Sequence, residues 1–170
     1  MVVRVKVCTF AQNRVMKHTI SLTKTEKSKL SGVDFNNIPF GRHFSDHIFI
    51  ADFDGEKWGN ARIEPFANLY IHPACMALHY GQSIFEGMKA TKTLDGQPML
   101  FRPEMHAARM NASARRMCMP EIPESLFLQG LDMLVGLDAD WIPPQEGSAL
   151  YIRPLMFAND EFIGVRPSAK

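Results

Sequence analysis

Two Asp-Gly pairs constrain the fold of this chain most, because each follows a short apolar run and precedes another. Asp54-Gly55 is the first pair and Asp95-Gly96 the second. Asp-Gly is a strong signal for a tight turn between antiparallel neighbours, so we expect two hairpins. The strands that these turns predict are Ile48–Phe53 with Trp58–Ile63, and Gly87–Lys92 with Met99–Arg102.

Two helices are predicted after the second hairpin. Pro103 suits a first helical position, and Glu104–Met117 contains no internal Gly or Pro. A second helix opens at Pro123 and runs to about Asp140. The other expected elements are a third strand over Asn68–His72, a short turn or helix over His79–Glu86, and a final strand over Ala149–Phe157. This order predicts an α+β domain with an antiparallel sheet and two main helices.

Length and charge exclude several classes of protein. The chain has 170 residues, room for one domain, and its 19 Lys+Arg against 18 Asp+Glu give a net charge of +1. A protein that binds nucleic acid by neutralising phosphates needs an excess of basic residues, so we expect this chain to bind no nucleic acid. No apolar run approaches the ~20 residues that span a bilayer.

The three cysteines are Cys8, Cys75 and Cys118, and they form no Cys-x-x-Cys pair. This argues against a zinc ribbon and favours a reducing compartment, the cytoplasm.

The first 25 residues contain no acidic residue, and Glu26 is the first. Organelle transit segments are basic and acid-poor, but they are also Ser-rich and amphipathic, which this stretch is not. We prefer an upstream extension, with Met16 as a natural start. Residues 1–30 are therefore expected to be an N-terminal extension.

Arg109 and Arg116 occupy an unexpected position on the first predicted helix. At 100° per residue both fall inside a stripe of apolar side chains. That stripe consists of Met105, Ala108, Ala112 and Met119. A guanidinium in apolar surroundings needs an anionic partner. The alternatives are a snorkelling arginine, an internal salt bridge, or a bound anion such as phosphate, and the residues alone leave all three open.

Tyr151 and Arg153 are two residues apart on the last predicted strand, so their side chains emerge on one face. A Tyr hydroxyl beside a guanidinium can receive a carboxylate; a solvated sheet face is the alternative. Pro154 cannot donate to a ladder, which predicts an edge or a bulge there. His43 and His47 flank Asp46, but no helix or further ligand supports a metal site, so we expect no metal.

Three blocks of sequence resemble the branched-chain amino-acid aminotransferases, and the resemblance covers roughly residues 33–168. The first block is Leu78–Gly81 with Ile84–Ala90. The second is Phe101–Glu104 with Arg109-Met110 and Ser113–Arg116, and the third is Ser148–Pro154 with Gly164-Val165. The family implied is pyridoxal phosphate-dependent, on the fold shared with D-amino-acid aminotransferases.

The resemblance implies a role for five residues. Arg109 matches the arginine that binds the cofactor phosphate, and Phe85 matches an apolar wall of the substrate pocket. Tyr151 and Arg153 match groups lining the site, where the arginine helps receive the side-chain carboxylate of glutamate. Tyr80 matches a tyrosine that reaches the neighbouring subunit's pocket, which implies a homodimer. The implied reaction moves an amino group between leucine, isoleucine or valine and 2-oxoglutarate.

The sequence departs from the family in one respect. The Schiff-base lysine of the family lies in a C-terminal domain near a Gly-Gly-Asn-type sequence, which does not occur here. We therefore expect residues 31–166 to form the small N-terminal domain and 167–170 to begin the interdomain linker. The chain alone is then expected to be inactive and to contain no catalytic residue. The alternatives are a D-amino-acid aminotransferase, an aminodeoxychorismate lyase, or a naturally short dimerisation module.

Overall fold

The computed structural model describes residues 8–9 and 18–169 of the chain. The strands are β1 (Cys8–Thr9), β2 (Ser21–Leu22), β3 (His47–Phe53), β4 (Trp58–Pro65), β5 (Ser83–Phe85), β6 (Met88–Lys92), β7 (Pro98–Leu100), β8 (Leu150–Ile152) and β9 (Leu155–Phe157). The helices are α1 (Met76–Tyr80), α2 (Pro103–Arg116) and α3 (Glu124–Leu137), with 3₁₀ turns at Leu30–Gly32 and Ala139–Trp141.

Both predicted hairpins are confirmed. β3 pairs antiparallel with β4, and β6 with β7. The Asp54 carboxylate accepts the backbone N–H groups of Glu56 and Lys57 at 2.9 and 2.8 Å, which closes the first turn. Gly55 has φ +102° and Gly96 has φ +80°, a conformation that other residues adopt only with strain. Turn chemistry therefore fixes both hairpins locally.

The strands form three small sheets, and the predicted α+β class is confirmed. The sheets have the strand orders β1-β7-β6-β8, β2-β4-β3 and β5-β9. β2 and β4 form the parallel pair, and the other pairs are antiparallel. Helices α2 and α3 pack on each other, and α3 also covers the hairpin β3–β4.

One strand prediction was wrong, and the predicted final strand is interrupted at the proline where an irregularity was expected. Asn68–His72 is an exposed coil, and its Tyr70 side chain is fully solvated. Apolar side chains predict a strand only where a sheet can cover them, and no described strand pairs with this segment. The final strand is divided into β8 and β9 at Arg153-Pro154, because proline has no N–H to donate.

The buried face of α2 also differs from the prediction. The helix buries Pro103, Ala107, Met110 and Ala114. The predicted stripe is instead solvent-exposed at Met105, Ala108, Arg109, Ala112 and Arg116. Alanines occur on both faces of the helix, so the spacing of 100° per residue could not show which face is buried. The contacts with α3 and β5 decide which face is buried.

Residues 18–25 pack against the domain. The His18 backbone N–H donates to Gln129 Oε1 at 3.1 Å, and Gln129 Nε2 donates to the His18 carbonyl at 2.7 Å. β2 adds to the edge of β4. The N-terminal extension expected over residues 1–30 stays a prediction. Its proposed natural start, Met16, lies outside the described residues.

His47 and Asp46 are buried in separate hydrogen-bonded sets. His47 Nδ1 contacts Asp138 Oδ1 at 2.6 Å, and His47 Nε2 accepts the Thr25 N–H at 2.9 Å. Asp46 accepts from Ser28, Lys29 and Trp141. Within residues 8–9 and 18–169, no group of three or more His, Cys, Asp or Glu side chains could hold a metal ion. No helix in this part of the chain is long and apolar enough to cross a membrane.

Candidate active site

Phe85, Tyr151 and Arg153 form one exposed cluster, which we call the aromatic–arginine cluster. The Arg153 guanidinium carbon lies 4.3 Å from the centroid of the Phe85 ring. Arg153 Nε and Nη2 donate to the Tyr151 hydroxyl at 3.2 and 3.0 Å. A guanidinium stacked on a ring can still hydrogen-bond in its own plane, as it does here to Tyr151, and can accommodate a planar anion such as a carboxylate in the same way. The cluster therefore combines an apolar surface with a cationic group.

Strand register brings the three residues together. β6 pairs with β8 so that Lys89 is opposite Tyr151, and β5 pairs with β9 so that Phe85 is opposite Leu155. The Glu86 N–H donates to the Pro154 carbonyl at 2.9 Å between these two ladders. The break at Pro154 therefore places Arg153 beside Phe85, although 68 residues separate them along the chain.

Phe40 is a third aromatic side chain at the cluster, and sequence reasoning did not find it. Its ring centroid lies 5.4 Å from that of Tyr151, in an edge-to-face arrangement. Phe40 lies in a turn between Leu30–Gly32 and β3. It follows no periodic pattern in the sequence, so only the tertiary contact identifies it.

Arg109 lies on the exposed face of α2 and pairs with Glu86. Arg109 Nε donates to Glu86 Oε1 at 2.7 Å, and Nη2 donates to Oε2. His106 Nδ1 lies 3.2 Å from the same Oε2. The Glu86 side chain is 5% exposed and the Arg109 side chain 63%. The sequence called for an anionic partner because it placed Arg109 in a buried apolar stripe; that stripe is exposed, and Arg109 still pairs with Glu86 inside the chain.

The charges of this pair stabilise each other. The hydrogen bond from Arg109 lowers the pKa of Glu86 below its ordinary value, against the opposing effect of burial, and His106 adds to the lowering. The hydrogen bond from Glu86 raises the pKa of Arg109. Both groups are therefore ionised at neutral pH.

Glu86 and Phe85 project to opposite faces of the ribbon that continues from β5 into β6. Ile84, Glu86 and Met88 are buried, whereas Ser83, Phe85 and Lys89 are exposed. This alternation follows the pleat of a strand. The Arg109–Glu86 pair and the aromatic–arginine cluster thus meet at adjacent residues, on two faces.

Tyr80 is the one predicted site residue without a described contact to either group. It ends α1 and lines an open cleft of about 470 Å³. Other residues of this cleft include Gln82, Arg116, Cys118 and Arg166. Tyr80 therefore lies in a cleft that also contains Arg116 of α2.

Comparison with known proteins shows which sequences resemble this chain. The chain is 46% identical over 150 residues to branched-chain-amino-acid aminotransferase 2 of Bacillus subtilis, a match of 88% of this chain and 40% of that protein. It is 43% identical over 134 residues to the branched-chain-amino-acid aminotransferase of Mycolicibacterium smegmatis, covering 78% of this chain and 36% of that protein. The chain spans about two fifths of the length of these curated relatives.

A solved structure agrees with the sequence comparison. The crystal structure of the branched-chain amino acid aminotransferase of Escherichia coli is 28% identical, with a TM-score of 0.52, over 63% of this chain and 34% of that one. No protein-family model matches the chain. The resemblance seen in the three sequence blocks is thereby confirmed.

Proposed function

The chain belongs to the branched-chain-amino-acid aminotransferase family, and from this premise we propose that it forms the phosphate-binding and substrate-lining part of a transaminase. The reaction transfers the amino group between leucine, isoleucine or valine and 2-oxoglutarate. Pyridoxal phosphate, when bound, supplies the electron sink for this chemistry. The tasks of this chain are to hold the cofactor's phosphate and to select the substrate side chain.

Arg109 has the properties that a phosphate ligand needs. Its guanidinium is largely exposed, and its Nε and Nη2 edge is held by Glu86. Among the described residues, none accepts a hydrogen bond from Nη1. A planar fork with a free edge suits a phosphate oxygen. The donors present thus fit the phosphate of the cofactor.

Arg153 is the residue on which the proposal for the substrate pocket rests. The pocket must bind two kinds of substrate side chain, one apolar and one carboxylate. The Phe85 ring beneath its guanidinium offers an apolar wall for a leucine or valine side chain. The guanidinium and the Tyr151 hydroxyl offer donors for the second carboxylate of glutamate. One site can therefore accept both partners of the reaction in turn.

Tyr80 is exposed enough to contact a neighbouring subunit. It is exposed and lines a cleft whose described lining includes none of Phe85, Tyr151 and Arg153. We propose a homodimer in which Tyr80 reaches the pocket of the neighbouring subunit. We also propose that residues 31–166 act as the small domain and that the Schiff-base lysine comes from outside these residues.

The test compares two half-reactions in the enzyme that contains this chain. Arg153→Ala should slow the single-turnover reaction with glutamate by about 100-fold, the discrimination expected when a buried carboxylate loses its partner. The reaction with leucine should change much less, because leucine has no second carboxylate. Arg115→Ala is the control, since Arg115 pairs with Glu121 on the surface. Equal losses in both half-reactions would contradict the role given to Arg153.

A further inference from the structure

Glu86 is a buried carboxylate with two basic partners on one helix. It follows β5, and its partners His106 and Arg109 are three residues apart on α2, on the same side of the helix. The carboxylate therefore joins the end of a strand to the exposed face of the helix.

The contact between Glu86 and Arg109 is made along one edge of the guanidinium. Nε and Nη2 donate to the two oxygens of the carboxylate. His106 Nδ1 contacts the oxygen that also accepts from Nη2. Each oxygen thus has a fixed partner, and Nη1 is directed away from the carboxylate.

An exposed arginine without such a partner has many rotamers. Its side chain carries about as much conformational entropy as lysine, and an anion that binds it must restrict that freedom. The pair with Glu86 has already imposed this restriction before any anion arrives. A preorganised donor binds its ligand more tightly than a mobile one.

We infer that Glu86 is a positioning residue, which fixes Arg109 by its Nε/Nη2 edge so that Nη1 faces the phosphate group proposed above. His106 supports the arrangement by holding the second carboxylate oxygen. The inference rests on the proposed function, because it assigns the anion to the cofactor phosphate.

The backbone of Glu86 extends this role to the substrate side. Its N–H donates to the Pro154 carbonyl, next to Arg153. The residue that orients the phosphate ligand is therefore bonded to the segment that carries the carboxylate receiver. Glu86 thus connects α2, through its side chain, with the segment that carries Arg153, through its backbone.

Two physical effects of Glu86 on phosphate binding have opposite signs. As a negative charge it repels phosphate, so its removal would strengthen binding. As a positioning residue it orients the donor, so its removal would weaken binding. Because Glu86 contacts the guanidinium on the edge away from Nη1, we expect orientation to dominate. The sign of the change in phosphate affinity when Glu86 is removed therefore shows whether repulsion or orientation dominates.

The first experiment measures the fixation of Arg109 by itself. The Nε–H signals of Arg109 and Arg115 are followed by NMR in this chain, with hydrogen exchange as the readout. Arg109 Nε–H should exchange at least tenfold more slowly than Arg115 Nε–H, because its partner is buried and that of Arg115 is exposed. Glu86→Gln should reduce this difference, since the neutral amide keeps one acceptor oxygen where the carboxylate had two charged ones. Exchange as fast as that of Arg115 in the unaltered chain would overturn the inference.

The second experiment measures how tightly the enzyme that contains this chain binds two probes, pyridoxine 5′-phosphate and pyridoxine. Neither has an aldehyde, so neither forms a bond to a lysine. Glu86→Gln should weaken pyridoxine phosphate by about tenfold, the usual effect of losing an outer partner of a ligand, and leave pyridoxine unchanged. Glu121→Gln, which removes an exposed partner of Arg115 on the same helix, should change neither.

A second variant tests the same contact from the arginine side, and the exchange measurement on the unaltered chain tests the inference even if Glu86→Gln fails to fold. Arg109→Lys is at an exposed position and retains the charge but not the two-donor fork. It should also weaken pyridoxine phosphate by about tenfold, and adding Glu86→Gln to it should cause no further loss. Tighter or unchanged binding after Glu86→Gln alone would overturn the inference. Failure of pyridoxine phosphate to outbind pyridoxine, with slow Arg109 exchange intact, would instead contradict the proposed function.

Discussion

The Tyr151 hydroxyl occupies the space where a side chain at residue 87 would begin. A Cβ added to Gly87 would lie 2.3 Å from the Tyr151 oxygen. Gly87 is thus required by the approach of Tyr151 across the ladder between β6 and β8.

Gly87→Ala is predicted to displace Tyr151 and to weaken its contact with Arg153. We expect a loss of about 1–3 kcal/mol in the free energy of unfolding, the usual cost of overpacking. Gly59→Ala is the matched control, because a Cβ there meets nothing within 4 Å. Urea denaturation of both variants is the measurement. A Gly87→Ala variant as stable as Gly59→Ala would contradict the account.

Gly130 and Gly136 are predicted to respond in opposite directions to alanine. Both lie in α3, but a Cβ on Gly130 would lie 2.5 Å from the Phe49 ring, whereas Gly136 is exposed. Gly130→Ala should destabilise by about 1–3 kcal/mol. Gly136→Ala should stabilise by up to about 1 kcal/mol through helix propensity. Thermal unfolding of the pair measures this, and changes of the same sign would argue against the packing described.

Asp138→Ala is predicted to be strongly destabilising. The Asp138 carboxylate accepts the His47 backbone N–H at 3.0 Å and contacts the ring Nδ1, and both residues are buried. Removing it leaves two buried donors unpaired, at a cost of about 2–5 kcal/mol. Asp140→Ala, at an exposed position two residues on, should change stability by less than about 0.5 kcal/mol. Similar unfolding midpoints for the two variants would refute the assignment.

Asp46 is predicted to make stability depend on pH in the acid range. Burial alone would raise its pKa, but hydrogen bonds from Lys29, Ser28 and Trp141 outweigh burial and lower it below 3.8. A lowered pKa contributes stability above the ordinary value and loses it as the pH falls through the folded-state value. The stability advantage over Asp46→Asn should therefore be full above about pH 5 and vanish on acidification. An advantage that grows as the pH falls would contradict this sign.

Local patterns sufficed for the hairpins and for the positions of α2 and α3. The Asp-Gly turns and Pro103 act through residues adjacent in sequence, so no tertiary information was needed. The buried face of α2 could not be predicted in this way, because alanines occupy both faces and the packing partner decides. The partner of Arg109 was also hidden, since Glu86 lies 23 residues away on another element. Phe40 carried no signal at all outside its contact with Tyr151.

The most direct test of the central claim compares amino donors in the enzyme that contains this chain. L-Leucine and D-alanine are supplied separately with 2-oxoglutarate, and the glutamate formed is measured. We predict turnover with L-leucine and none above background with D-alanine, because the curated relatives are branched-chain aminotransferases and the Phe85 ring offers an apolar wall for a leucine side chain. Turnover with D-alanine and not with L-leucine would contradict the assignment to branched-chain transamination.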